Sequence, residues 1–246
     1  MTLLPAIVAM IVVALLLRKW LGNRELRIRM IPFQILAAVL FLIEIGKQLV
    51  SLSNGYDLYH LPFHFCSLFI FALPIAAFYR GKHRRTVLGV TIALCAAVLM
   101  LMLIYPNLIY GAWDVQEFFM RYLSFHTVAF HNIVLFEFIL AVALRLHEPE
   151  PQKEQKAVVV CMAVFSAVAA IMAQVFKTNY ANMYTCNIPP LEAVRAAVAN
   201  ALGTVPAQIL YVLIVSSLHI SFTLLAYRVY ITILRLTQPK EKPSAM

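Results

Sequence analysis

The sequence predicts an all-α, polytopic membrane bundle of about seven transmembrane helices. Three observations predict it. Hydrophobic residues make up 63% of the 246 and charged residues 13%, with a mean hydropathy of +0.84, more apolar surface than a water-soluble domain can bury. The apolar residues fall into runs of about 18 or more, the length that crosses a bilayer as a helix, without the alternation of a barrel strand. Lysines and arginines collect in alternate connections between these runs.

The predicted spans lie at about 3–20, 31–53, 61–79, 86–105, 119–146, 156–177 and 205–234. The first is short, and its charges, Arg18 and Lys19, follow it. A secretory signal carries them in front, so the segment reads as a membrane anchor. The third is expected to begin helically at Pro62, because a proline loses little in a first helical turn. The fifth carries three polar groups, Ser124, Thr127 and His131, at i, i+3 and i+7. Together the spans leave no room for a soluble domain. Residues 1–237 are read as one transmembrane domain, and 238–246 as a polar, disordered cytoplasmic tail.

A net charge of +9 raises nucleic acid as a partner, but the distribution of the charge excludes it. Sixteen of the 20 Lys and Arg residues lie in every second connection or in the C-terminal region, including Arg18 to Arg29, Arg80 to Arg85, Arg145 to Lys156, and Arg228 onward. The positive-inside rule then puts the N-terminus outside and the C-terminus in the cytoplasm, a parity that seven spans satisfy and six do not. The expected location is the cell membrane, multi-pass, with lipid as the environment. The cysteines, Cys66, Cys95, Cys161 and Cys186, show neither metal spacing nor a disulfide framework, and no cofactor or metal is expected. The sequence does not give the oligomeric state.

Ionisable groups inside membrane spans are costly and mark functional sites. Here they concentrate in the outer half. Glu44, Lys47 and Gln48 share one face of the second span. His60 and His64, at i and i+4, are expected on one helical face at the start of the third, with Cys66 turned elsewhere. Thr127 and His131 share a stripe on the fifth, with His126 on another face. Asn179 and Tyr180 follow the sixth, and Gln208 opens the seventh. A cavity in the outer half is expected, lined by spans two, three, five and seven and roofed by 178–200. Each group also has a plainer reading. Glu44 with Lys47 suits a structural ion pair, a lone histidine suits an interhelical hydrogen bond, and tyrosines suit an interfacial belt. Glu137 and His219, single and deeper, read as structural.

The peptide Leu61-Pro62-Phe63-His64-Phe65-Cys66, the fifth span from Phe125-His126 to His131, and Asn179-Tyr180 with Pro189-Pro190 downstream resemble the YwaF-like family of bacterial integral membrane proteins. The resemblance runs from the second span to the seventh. That family is distantly similar to eukaryotic membrane enzymes that transfer or hydrolyse acyl chains of lipids. In one branch a cysteine beside a histidine carries the acyl group, and in another a threonine and a histidine act. The resemblance therefore implies lipid acyl chemistry with phospholipid as substrate. The expected catalytic set is His64, His131, Thr127 and Cys66. The expected substrate-binding set is Glu44, Lys47, His60, His126, Asn179, Tyr180 and Gln208. One departure matters: Phe63, which cannot be a nucleophile, stands where that branch has its cysteine. The alternative is a transporter or lipid-binding protein that uses Glu44, Lys47 and His64 as intramembrane polar groups.

Overall fold

The computed structural model describes residues 3–105, 109–110, 115–185 and 189–237, and every regular element among them is helical. In chain order these are α1 (Leu3–Leu21), α2 (Leu26–Arg29), α3 (Ile31–Ser53), α4 (Leu68–Phe78), α5 (Arg84–Ile104), α6 (Tyr122–Ala143), α7 (Pro151–Phe176), α8 (Pro189–Leu202) and α9 (Thr204–Thr237). Six stretches, those of α1, α2 with α3, α5, α6, α7 and α9, are long and apolar enough to cross a membrane, and α4 is a shorter apolar helix. The seven runs of the sequence are thus all present. The predicted tail at 238–246 and Cys186 lie outside the described residues.

The helix α5 is the hub. It packs against α4, α6, α7 and α9, while α3 packs against α4 and α6. A four-helix group (α3, α4, α5, α6) and a three-helix group (α5, α7, α9) therefore share α5. Its buried face is dense in small and branched residues, including Leu88, Gly89, Ile92, Ala93 and Ala97. Small residues let helix backbones approach in lipid, where no hydrophobic force draws helices together. Both α1, set against α6, and α8, set against α9, are peripheral. Most of α1 is exposed, with Leu4, Leu15, Leu16 and Trp20 at least half open, as suits a face turned to lipid.

The basic connections meet at one end of the bundle. There Arg29 Nη1 donates to the Leu144 carbonyl at 2.8 Å, and Arg85 pairs with Glu148 at 3.0 Å. The opposite end carries the histidines and is called the histidine end below.

The third span departs from expectation. Leu61, held before Pro62, is extended (φ −62°, ψ 147°), and so is His64 (φ −78°, ψ 155°). The extended Leu61 would still allow a helix to start at Pro62, but the extended His64 two residues on stops any helix there. The helix begins only at Leu68, after a 3₁₀ turn at Phe65–Ser67. With 11 residues, α4 rises about 16 Å, roughly half of a hydrocarbon core. Gln34 Nε2 donates to the Ala77 carbonyl at 3.0 Å, which fixes the level of α4 against α3. Leu68 then stands roughly 14 Å nearer the histidine end, level with Ile43 and Glu44. The rest of this layer is filled by residues 54–67, a descending peptide with no α-helix. Gly55, at φ 78°, turns the chain into it after α3, and Asp57 caps its first 3₁₀ turn by accepting from Tyr59 N at 2.8 Å. His60 and His64 consequently do not share a helical face.

Candidate functional site

The histidine end is organised around the Glu44 carboxylate, which is 5% exposed. Its Oε1 accepts from Lys47 Nζ at 3.0 Å and from Gln48 Nε2 at 2.7 Å. Its Oε2 accepts from His126 Nε2 at 2.7 Å. The spacing i, i+3, i+4 brings the first two partners to it on α3, as the sequence predicts. The third comes from α6. Gly46 permits that approach, because a Cβ there would collide with the Tyr122 hydroxyl, which donates to the Ile43 carbonyl at 2.9 Å. Every lone-pair direction that matters on Glu44 is therefore used, as a buried carboxylate requires.

The descending peptide is tied to the same network. Gln48 Nε2 also donates to the His60 carbonyl at 3.1 Å, and its Oε1 accepts from the Tyr56 hydroxyl at 2.6 Å. The Ser51 hydroxyl hydrogen-bonds His60 Nδ1. His64 Nε2 donates to the Tyr59 carbonyl at 3.0 Å, with the Tyr59 ring 4.4 Å and the Tyr180 ring 5.4 Å from its imidazole. Because carbonyls only accept, that bond puts the proton on Nε2 and leaves Nδ1 of His64 as the basic nitrogen. The same logic gives His126 a free Nδ1 and His131 a free Nε2, since His131 Nδ1 is engaged with the Thr127 carbonyl at 2.7 Å.

The Lys47 ammonium meets the Glu44 carboxylate, one turn back on α3. Thr127 is on the same helix as His131, but its hydroxyl donates to the Leu123 carbonyl at 3.0 Å and not to an imidazole. No hydrogen bond joins His64 to His131 among the described residues. Glu44, His126 and His131 are each less than a tenth exposed. Two hollows among the described residues lie elsewhere, at Arg18–Arg29–Arg145 and between α8 and α9. The descending peptide is itself covered by a further segment.

That cover is the segment after α7. Tyr180, fully buried, donates its hydroxyl to the Leu58 carbonyl and sets its ring 5.3 Å from Phe63. Asn179 Oδ1 accepts from Tyr184 N at 3.2 Å and Thr185 N at 3.0 Å, which steadies a turn containing two left-handed residues, Ala181 (φ 47°) and Asn182 (φ 60°). Left-handed backbone in an alanine is strained and persists only where its surroundings fix it. Gln208 Nε2 clamps the Met183 and Tyr184 carbonyls at 3.0 and 3.3 Å. The polar groups of Asn179 and Gln208 thus serve the backbone of the cover. The predicted roof at 178–200 also contains a helix, α8.

Tyr180→Phe tests the cover. It leaves the Leu58 carbonyl without its donor, and the expected loss is about 1–3 kcal/mol. Hydrogen exchange should rise within residues 54–67 and 178–185 and stay unchanged in α5. An unchanged exchange pattern would show that the cover holds without this bond.

A second buried polar cluster, unanticipated in the sequence, lies at the basic end. Glu154 of α7 is fully buried, accepts from His147 Nε2 at 2.8 Å and Glu150 N at 2.9 Å, and takes the Tyr227 hydroxyl of α9. The Tyr230 hydroxyl meets His147 Nδ1 at 3.1 Å. The carboxylate rests against Gly89 of α5, where a Cβ would come within 2.7 Å of both its oxygens. Glu154 sits in the polar run Pro151-Gln152-Lys153-Glu154-Gln155-Lys156, which resembles a solvated helix start. The available signal was the Tyr227/Tyr230 pair at i, i+3 in an apolar span. Glu137 of α6, fully buried, has no hydrogen-bond partner for either oxygen. Among the described residues no three His, Cys, Asp or Glu side chains gather to hold a metal ion.

A model of the TMEM164 family matches residues 1–227. No curated protein and no solved structure matches the chain. The matched family is a multi-span membrane family. The resemblance to YwaF-like proteins, and through them to acyl-transferring enzymes, has no counterpart in these comparisons.

Proposed function

We propose that this chain, which belongs to the TMEM164 family and is an integral membrane protein, transfers or hydrolyses acyl chains of phospholipids at its histidine end. One observation carries the reading. The third span is interrupted, and its missing half is replaced by a peptide bearing His60, His64 and Cys66 beside the Glu44–Lys47–His126 cluster. Non-helical backbone at membrane depth is tolerated only where protein covers it or where it lines a cavity, so it is kept where it does chemistry. In this reading the positive-inside distribution turns this end to the extracytoplasmic side of the membrane.

The roles in this reading are those that the sequence resemblance implies. Lys47 opposes a headgroup phosphate, with Glu44 and Gln48 fixing its position. His64 Nδ1 takes the proton of the attacking group as that group bonds to the ester carbonyl carbon. The acyl C–O bond then breaks, and the proton passes to the departing lipid oxygen. The attacking group is the Cys66 thiol, which would hold the acyl chain until an acceptor hydroxyl or water takes it, or else that hydroxyl directly. His126, held by Glu44, and His131 are the remaining bases. The engaged hydroxyl of Thr127 makes it the weaker nucleophile.

The test is full-length protein in nanodiscs, given a phospholipid with a deuterated acyl chain and a lysophospholipid acceptor, with products read by mass spectrometry. Turnover should fall about 10²-fold or more in His64→Ala, and Lys47→Ala should chiefly raise KM. Unchanged turnover in folded His64→Ala and His126→Ala removes these bases. Absence of turnover with any phospholipid favours the second reading, a transporter or lipid-binding protein. Two observations support that reading: the half-length α4, since interrupted helices build transporter sites, and the unpartnered Glu137 within α6. Proton-coupled uptake abolished by Glu44→Gln would establish it.

A further inference from the structure

At the basic end, away from the histidines, the end of α1, the short α2 and the end of α6 enclose a pocket of about 140 Å³. It is lined by Arg18, Gly22, Asn23, Arg29, Leu144 and Arg145, among others, and by no carboxylate. Among the described residues none of the three arginines has a carboxylate within ion-pair distance. Arg29 Nη1 donates to the carbonyls of Leu144 and Arg145 at 2.8 and 3.2 Å, which offsets the negative end of α6. Its Nε is buried with no hydrogen-bond partner. Arg145 ends α6 in the left-handed region, φ 49°, where glycine is usual. The chain therefore keeps a guanidinium at the pocket in a position where a smaller residue would be less strained.

We propose that this pocket binds a phosphate anion, either the headgroup phosphate of an anionic phospholipid or free phosphate. Guanidinium forks match phosphate oxygens in pairs, and three arginines line this pocket with no carboxylate among its lining residues. A water needs about 10–15 Å³ of such space, so the pocket holds a phosphate group with water to spare. It also opens at the end of α1, a helix whose outward face is apolar. An acyl chain lying along α1 would bring its headgroup to this level. Lys82, another basic residue of these connections, is not among the residues that line this pocket.

The full-length protein is reconstituted in phosphatidylcholine nanodiscs. Its thermal midpoint is followed in one arm with added inorganic phosphate, and in another with rising fractions of phosphatidylglycerol in the disc. Saturable stabilisation is expected in at least one arm. A response to inorganic phosphate identifies a free-anion site, and a response to phosphatidylglycerol alone identifies a headgroup site. Arg18→Gln and Arg145→Asn should each weaken the response about fivefold, while Lys82→Gln leaves it unchanged. Among the described residues the Arg18 side chain makes no hydrogen bond, so Arg18→Gln carries the test if Arg145→Asn folds poorly. A linear, non-saturating response, or an equal effect of Lys82→Gln, would overturn the proposal and leave only diffuse attraction to a charged surface.

Discussion

Replacing Glu44 by alanine is expected to destabilise the protein by about 3–5 kcal/mol, the cost of taking one partner from a buried ion pair. The reason lies in what remains. Lys47 keeps a charge on a side chain only 14% exposed, and His126 and Gln48 lose their acceptor. Thermal unfolding in detergent measures the loss. Glu44→Ala/Lys47→Met should recover part of it, because the second change removes the stranded charge. His126→Ala should cost less in the Glu44→Ala background than alone, with a coupling of about 0.5–3 kcal/mol. If Glu44→Ala costs less than about 1 kcal/mol, the carboxylate is not the centre of the site.

Gly89→Ala is the second large effect, and it acts at the other end. A Cβ at Gly89 meets both Glu154 oxygens and the carboxyl carbon, so α5 and α7 must part or the carboxylate must leave its partners. Overpacking of this kind costs about 1–3 kcal/mol. Loss of the His147 and Tyr227 hydrogen bonds would add to it, since each leaves a buried polar group unmet. The discriminating measurement is the double variant. In a Glu154→Ala background the methyl of Gly89→Ala has room, so its cost should largely vanish. Strict additivity would mean that the two residues do not press on each other.

How far the sequence reaches can be judged from single residues. Glu44, Lys47 and Gln48 were legible as one face because they lie on one helix and the helical period places them. The partnership of Glu44 with His126 was not legible. It depends on the rotation of α6 against α3, and that is set by the close approach of Tyr122 to Gly46. On helical period alone His126 falls on a different face from Thr127 and His131, and this holds. What the period omits is that this other face is the one turned to Glu44. The third span misled for a local reason. Pro62 was read as starting a helix, whereas the extended His64 two residues after it ends any helix there. Glu154 was missed because a polar run at a helix start looks the same in sequence whether it faces water or a neighbouring helix.

The sequence by itself determined the class of protein, the number of apolar segments and the end at which each connection lies. Hydropathy and charge are properties of the chain taken in order, and a bilayer sorts segments by just those properties. It also marked one end as chemically rich. Only the tertiary structure decided which of those groups meet: Glu44 with His126, the descending peptide with Tyr180, and Glu154 with Tyr227. These contacts depend on helix rotation, on close approach at Gly46 and Gly89, and on half a span given up to extended chain. None of them is a property of one segment alone.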